Sequence, residues 1–194
     1  MRRIVNSPWA KPFVFLLLLA PLATLAVRAY TGSLGVNPIE TVTRATGEWT
    51  LRFLLFTLTI TPLRRLSGIP DLIRFRRMAG LVAFFYGALH LVTWLWLDKF
   101  FDLDEMAQDV VKRRFIAAGF VAFLAMVPLA VTSTRGWIRR LGRRWQMLHR
   151  LVYLSAAAGV VHYIWLVKAD LRAPLAYAAT LVLLMALRFV KRAA

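Results

Sequence analysis

The chain alternates long apolar stretches with short polar ones, and this alternation predicts its architecture. A transmembrane α-helix needs about 20 predominantly apolar residues to cross the hydrocarbon core of a bilayer. Six stretches come close to this length, at residues 12–29, 47–64, 78–97, 115–133, 149–167 and 174–190. The connections between them are too short for a separate soluble domain. The pattern therefore predicts an all-α integral membrane protein, in which residues 1–194 form a single six-helix bundle.

Two of these six spans have a competing interpretation. The basic start and apolar run of the first are also typical of a cleaved signal peptide. We favour a retained span, because the run from Pro12 to Val27 is long and further apolar stretches follow without a clear cleavage site. The second span contains Glu48 and Arg52, but a pair at this i, i+4 spacing is tolerated near a helix end at the membrane interface.

The distribution of basic residues predicts the orientation of the bundle. Lys and Arg are enriched in cytoplasmic loops, and seventeen of the 26 fall on one predicted side. They are Arg2, Arg3, Lys11, Arg64, Arg65, Arg74, Arg76, Arg77, Arg135, Arg139, Arg140, Arg143, Arg144, Arg150, Arg188, Lys191 and Arg192. Both termini are therefore predicted to be cytoplasmic. The opposite side includes the acidic segment 98–114, and all seven Trp lie near predicted span ends, as in an interfacial aromatic belt.

The amino-acid composition excludes several kinds of chemistry for this chain. The chain is 60% hydrophobic, with a net charge of +17, a mean hydropathy of +0.62 and a pI near 11.6. In a soluble protein this charge would indicate nucleic-acid binding, but here the basic residues form blocks between apolar runs. Cysteine is absent, which excludes disulfides, thiolate nucleophiles and Cys-ligated zinc or iron–sulfur centres. Any metal chemistry must use His or carboxylates.

The three histidines are the candidate functional residues. His90 lies in the third predicted span, and His149 and His162 lie in the fifth. Ionisable residues inside a membrane are costly, and they commonly mark a functional site. Any one of them alone is equally well explained as a hydrogen-bonded packing residue or an interfacial anchor. Their concentration in two spans favours a shared role.

Depth in the membrane distinguishes the three. His90 lies about 12 residues into its span and His162 about 13, and the two spans run in the same direction. These two are predicted to face each other, whereas His149 lies at the cytoplasmic entry, roughly 20 Å away along the helix. Thirteen residues of ideal α-helix leave His149 and His162 about 140° out of alignment. Either the fifth helix is locally tightened or tilted, for example at Gly159, or the two serve different faces.

Two neutral imidazoles at matched depth suit the axial coordination of a haem. Zinc would need further ligands, and a proton relay usually includes a chain of intramembrane carboxylates. Arg76 and Arg77 occupy the place where the third helix would supply a partner for His149. Arginines there suit haem propionates or a flavin phosphate. The favoured interpretation is one bis-His haem, held by His90 and His162, with a second haem left open.

Three stretches resemble a known family: "TGEWTLRFLLFTLTITPLRRLSG" (46–68), "RFRRMAGLVAFFYGALHL" (74–91) and "TSTRGWIRRLGRRWQMLHRLVYLSAAAGVVHYIWLVK" (132–168). They are similar to MsrQ, formerly YedZ, the family of haem-binding membrane subunits of bacterial MsrPQ methionine sulfoxide reductase systems. This family belongs to the ferric-reductase-like transmembrane superfamily. The similarity covers nearly the whole chain.

The resemblance implies a six-helix cytochrome b of the bacterial inner membrane. Such a protein passes electrons to MsrP, a periplasmic molybdopterin enzyme that reduces methionine sulfoxide in oxidised proteins. The haem-ligand histidines of the family match His90, His149 and His162. The resemblance also implies FMN, and an electron supply from the quinone pool or a cytosolic flavin reductase. No flavin motif is visible in the sequence, so no FMN residue is predicted.

Two other classes of function remain open at this point. One is a stand-alone quinone-linked or ferric-type reductase that completes its chemistry at an open haem site. The other is a non-redox transporter or assembly factor, whose histidines pack or relay protons. We expect an electron-transfer subunit with no catalytic residue of its own. The acidic segment 98–114 is a candidate docking surface for the partner, although simple solvation also explains a charged loop.

Overall fold

The computed structural model describes residues 7–189, and all regular secondary structure within that range is helical. The basic residues Arg2, Arg3, Lys191 and Arg192 lie outside the described residues, as do both chain termini with their predicted cytoplasmic placement. Residue 190, at the end of the sixth predicted span, also lies outside them. Everything else predicted from the sequence falls within the described range.

Nine α-helices follow one another along the described chain. They are α1 (Ala10–Tyr30), α2 (Pro38–Ser67), α3 (Ile73–Val92), α4 (Leu103–Lys112), α5 (Arg114–Val131), α6 (Arg135–Leu141), α7 (Arg143–Leu148), α8 (Leu151–Leu166) and α9 (Arg172–Phe189). A 3₁₀ turn, Pro70–Leu72, precedes α3, and a π-helical segment, Thr93–Asp98, continues it. The all-helical class is confirmed.

The membrane character of the chain is confirmed by its apolar helices. In the described range, three segments are long and apolar enough to cross a bilayer: α1, the run Pro70–Asp98 around α3, and α5. Helices α2, α8 and α9 coincide with the other three predicted spans. Helix α2 carries more charge, and α8 has only 16 residues. The count of six crossings stays a prediction.

The chain divides into two compact units. The first comprises the chain up to Asp98 together with its end from Arg188, and the second runs from Lys99 to Leu187. In the first unit, α2 and α3 pack along their lengths, with Leu58, Ala79 and Ala83 fully buried. In the second unit, α5 and α8 form the corresponding pair, and the buried Ser155 hydroxyl donates to the carbonyl of Ala122 at 2.9 Å.

Tyr86 of α3 connects α3 to α1 within the first unit through hydrogen bonds to the α1 backbone. Its hydroxyl donates to the carbonyl of Leu18 at 3.1 Å and accepts from the N–H of Leu22 at 3.0 Å. Pro21 lies between these two groups and has no N–H to donate to the carbonyl of Leu17, so the helical ladder lacks one bond at this point. The Tyr86 side chain, 1% exposed, thus satisfies backbone groups beside a helical proline.

The acidic segment 98–114 is mostly helix rather than the loop expected from its charge. Asp102 caps α4 by accepting from the N–H of Glu105 at 3.0 Å. Lys99, only 6% exposed, pairs with Glu105 and with Asp109, the latter at 2.8 Å, and Arg113 pairs with Asp109 at 3.0 Å. The pKa of the Lys99 ammonium is raised, mainly by its hydrogen bond to Asp109 and next by its hydrogen bond to Glu105. Simple solvation therefore does not describe this segment.

The Glu48–Arg52 pair expected on the second span is present in α2, at 2.8 Å. The Arg52 guanidinium also lies over the Trp49 ring, 4.6 Å from its centroid. Both charged side chains are partly exposed. The pair lies ten residues after the start of α2 at Pro38, and so it is inside the helix and not near a helix end as expected.

Candidate functional site

His90 lies near the end of α3 and is held against α2. Its Nδ1 is 2.9 Å from the carbonyl oxygen of Thr43. A carbonyl can only accept, so Nδ1 must carry the proton and donate. In the neutral ring the lone pair then belongs to Nε2. Gly47, one helical turn after Thr43, faces the same ring: a Cβ placed there would lie 2.9 Å from His90 Cε1.

His162 occupies the equivalent place in the second unit, on α8 against α5. Its Nδ1 is 2.6 Å from the carbonyl oxygen of Phe115, which again makes Nδ1 the donor and gives Nε2 the lone pair. Gly119, one turn after Phe115, faces the ring, and a Cβ there would lie 2.9 Å from His162 Nδ1. The Phe115 ring lies beside the imidazole, with centroids 6.1 Å apart.

His149 is held differently, by its own segment of chain. Its Nδ1 lies 3.1 Å from the carbonyl oxygen of Trp145, one turn earlier, and the two rings stack with centroids 3.7 Å apart. The Trp145 indole N–H in turn donates to the carbonyl of Thr132 at 2.9 Å. His149 therefore presents the same tautomer as the other two, on a side chain fixed by stacking.

The chain is not one continuous helix from His149 to His162, as the predicted span 149–167 implied. His149 caps the short helix α7, and α8 begins at Leu151. Between them the backbone tightens: Arg150 donates to Met147 and Tyr153 donates to Arg150, each three residues back and at 3.0 Å. Such bonds wind the chain faster than an α-helix, because a 3₁₀ turn has 3.0 residues. The tightening lies here and not at Gly159, which is inside the regular helix α8.

The shared tautomer is the form that binds a metal. In haem proteins and zinc enzymes, the ligand nitrogen of a histidine is unprotonated, and the other ring nitrogen commonly donates to a carbonyl or carboxylate that orients it. Among residues 7–189 no three His, Asp or Glu side chains converge on a point where they could hold a metal ion. Separate axial imidazoles suit a haem, since the porphyrin supplies the four equatorial nitrogens. The chemistry of His90, His149 and His162 therefore fits a haem.

The three histidines are divided between the two units. His90 belongs to the first, whereas His149 and His162 belong to the second. The predicted pairing of His90 with His162 joins the two units and stays a prediction. Arg76 and Arg77, where the sequence predicts no histidine partner for His149, are the fourth and fifth residues of α3.

A cavity in the first unit was not predicted from the sequence. It has a volume of about 480 Å³, with apolar walls from α1 and α3 and three basic side chains around it. Its lining consists of Lys11, Phe15, Arg74, Arg77, Met78, Leu81, Val82 and Phe85. The α3 residues recur at intervals of three and four, which places them on one face of the helix. That periodicity was the signal available in the sequence.

Helical architecture and long apolar helices define a membrane protein of the ferric reductase class, and residues 46–160 match the family model described as ferric reductase like transmembrane component. Within this class the chain belongs to the MsrQ family, which confirms the resemblance seen in the sequence. It is 53% identical over 181 residues to the protein-methionine-sulfoxide reductase heme-binding subunit MsrQ of Herminiimonas arsenicoxydans, covering 92% of this chain and 83% of that one. It is 54% identical over 184 residues to that of Azospira oryzae, covering 94% and 79%. It is 53% identical over 173 residues to that of Caulobacter vibrioides, covering 89% and 82%.

Proposed function

We propose that this chain is a multi-pass b-type cytochrome of the bacterial inner membrane, with six spans and both termini in the cytoplasm. It passes electrons from the cytoplasmic side, or from the quinone pool, to a periplasmic molybdopterin reductase of the MsrP type. That partner would repair methionine sulfoxide in oxidised periplasmic proteins. The observation that carries the proposal is the common tautomer of the three histidines, each with Nδ1 beside a backbone carbonyl.

His90 and His162 are the proposed axial ligands of one haem b. Their Nδ1–H groups are committed to carbonyls of neighbouring helices, which orients the rings and makes Nε2 more electron-rich. A bound haem would supply reversible one-electron chemistry. His149 is the proposed haem ligand on the cytoplasmic side, where it would bind a second haem if one is present. The chain then needs no substrate-transforming site of its own, and its role is to hold and insulate the redox group.

The visible spectrum of the detergent-purified chain tests this function. We expect a Soret band, with sharp α and β bands on dithionite reduction, in protein expressed with an adequate haem supply. A colourless protein would contradict the cytochrome and support the transporter or assembly-factor alternative. The chain alone can also be given a ferric or quinone acceptor. Reduction of that acceptor as fast without an MsrP-type partner as with one would instead support the stand-alone reductase.

The cavity between α1 and α3 is the proposed site of FMN. Its apolar walls, with Phe15 and Phe85, suit a flat isoalloxazine ring, and Lys11 and Arg77 suit a phosphate. We expect Lys11→Gln with Arg77→Gln to reduce FMN retention at least tenfold, measured by flavin fluorescence after gel filtration. Arg139→Gln, an exposed arginine of the second unit, serves as the control. Equal FMN retention in both variants would exclude this cavity.

A further inference from the structure

Two helix pairs of this chain hold a histidine by the same three elements. In the first unit these are His90, the carbonyl of Thr43 and Gly47; in the second they are His162, the carbonyl of Phe115 and Gly119. The accepting carbonyl lies 47 positions before its histidine in both cases. Each member of the second set lies 72 positions after its counterpart in the first. The chain therefore contains two copies of one histidine cradle.

The glycine of each cradle is in unusually close contact with the imidazole. A Cβ at position 47 would lie 2.9 Å from Cε1 and 3.1 Å from Nδ1 of His90, and a Cβ at position 119 would lie 2.9 Å from Nδ1 of His162. Contacts under 3.0 Å are essentially never made by real Cβ atoms, so something must move. The imidazole rings cannot move away freely, because their Nδ1 atoms are hydrogen-bonded to the adjacent carbonyls.

Helix propensity does not explain these glycines. Both lie inside α-helices, where alanine is intrinsically preferred and glycine is unfavourable. Gly80 of α3 provides a contrast within the same helix pair as Gly47. A Cβ there would meet only the Thr57 methyl group, at 3.6 Å, which is ordinary van der Waals contact. Close approach of an imidazole is therefore particular to Gly47 and Gly119 in this comparison.

We propose that Gly47 and Gly119 are positioning residues, which set the orientation of the His90 and His162 rings and thereby the spectrum and reduction potential of the bound haem. The inference rests on the proposed haem-binding function. A methyl group at either position rotates the ring away from its carbonyl and lengthens the Nδ1–H···O bond. Because that bond makes the ligand nitrogen more electron-rich, weakening it disfavours the ferric state and raises the potential.

The first experiment compares Gly47→Ala, Gly119→Ala and the control Gly80→Ala in the full-length chain, reconstituted with haem b in detergent. We expect the control to match the wild type. The two cradle variants should bind haem about tenfold more weakly, with altered low-spin g-values in electron paramagnetic resonance and a midpoint potential shifted upward. Wild-type spectra, affinity and potential in both cradle variants would overturn the inference. Absence of haem from the wild type would instead defeat the proposed function, and the inference with it.

A double-mutant cycle on the haem-free chain keeps the test decisive if Gly47→Ala folds poorly. Thermal unfolding midpoints are measured for the wild type, Gly47→Ala, His90→Ala and the double variant. Removing the imidazole removes the atoms that the added methyl would strike, so Gly47→Ala should lower the midpoint only while His90 is present. An equal drop in the His90→Ala background would show that the glycine serves some other contact, and would overturn its positioning role.

Discussion

One hydrogen bond to the main chain decides which nitrogen each histidine offers. Thr43, Phe115 and Trp145 supply the three carbonyls, and none of their side chains takes part in the bond. A carbonyl oxygen is present at every residue, so its identity as an acceptor has no sequence signature. The consequence for function is specific, because a histidine with the other tautomer would direct a proton, not a lone pair, from Nε2.

The ligand assignment is tested by single substitutions. His90→Ala and His162→Ala should each abolish the low-spin haem spectrum if both bind one iron, because a haem with one axial imidazole becomes high-spin or is lost. His149→Ala should leave that spectrum in place. The readout is the reduced α band together with electron paramagnetic resonance at low temperature. Loss of the low-spin signal in His149→Ala alone would contradict the pairing of His90 with His162.

The hydroxyl of Tyr86 stabilises the first unit through backbone groups beside Pro21. Tyr86→Phe leaves the Leu18 carbonyl and the Leu22 N–H without this bridge, in a buried place. We expect a loss of about 1–3 kcal/mol in unfolding free energy. The matched control is Tyr30→Phe, at a tyrosine that is 95% exposed, which should change stability little. Both are measured by thermal unfolding in detergent, and similar midpoints for the two variants would argue against the bridge.

At the level of helices, α4 is organised by charge in an otherwise apolar chain. Lys99 and Asp109 are both largely buried, so the loss of either removes a buried counter-charge, and the partner then keeps only a more exposed one, Arg113 or Glu105. The exposed Arg44–Glu40 pair on α2 is a contrasting case, since solvent screens it. The two pairs have similar chemistry and different burial, and burial decides which of them matters for stability.

Lys99→Gln should destabilise α4 by up to about 3 kcal/mol, less than a fully buried pair because Glu105 is half exposed. Limited proteolysis within residues 99–113 measures the local opening. Arg44→Gln should cost less than about 1 kcal/mol and leave cleavage unchanged. If cleavage of the Lys99→Gln variant proceeds at the wild-type rate, the ion cluster does not hold the helix.

The same cluster predicts a dependence on alkaline pH. The pKa of Lys99 is raised in the folded chain, so its contribution is fully present below the ordinary lysine value of about 10.4. That contribution is lost only as the pH rises through the higher folded value. The difference in thermal midpoint between the wild type and Lys99→Gln should therefore be constant from pH 8 to about 10 and shrink above it. A difference that already falls between pH 8 and 9 would contradict this assignment.

For the molecule in its membrane, charge asymmetry predicts the orientation, and the absence of cysteine makes it easy to test. Asp104→Cys in α4 should react with a membrane-impermeant maleimide added to spheroplasts. Arg139→Cys in α6 should react only after the membrane is permeabilised. Both residues are exposed in the structure, so accessibility to the reagent depends on the side of the membrane. Labelling in the reverse order would invert the proposed topology.

The local properties of the chain were sufficient to predict the helical class, the membrane environment, the positions of the six long helices and the family. Each of these depends on neighbouring residues, through apolar run length, blocks of charge or short motifs. The break before α8 was missed, because its i to i−3 bonds form in a stretch whose composition also suits a continuous helix. The helical nature of 98–114 was missed because a run of charges was taken for solvated loop.

The hydrogen-bond acceptors of the histidines, the Tyr86 bridge, the two glycine contacts and the cavity were decided only by packing between helices distant in the sequence. The acceptors at Thr43 and Phe115 lie 47 residues from their histidines, and Tyr86 bridges backbone groups more than 60 residues away. Gly47 and Gly119 gain their significance from a ring on another helix, and the cavity from two helices together. A helix pattern specifies which face is apolar, but the partner, register and closest approach follow from complementary packing of whole surfaces.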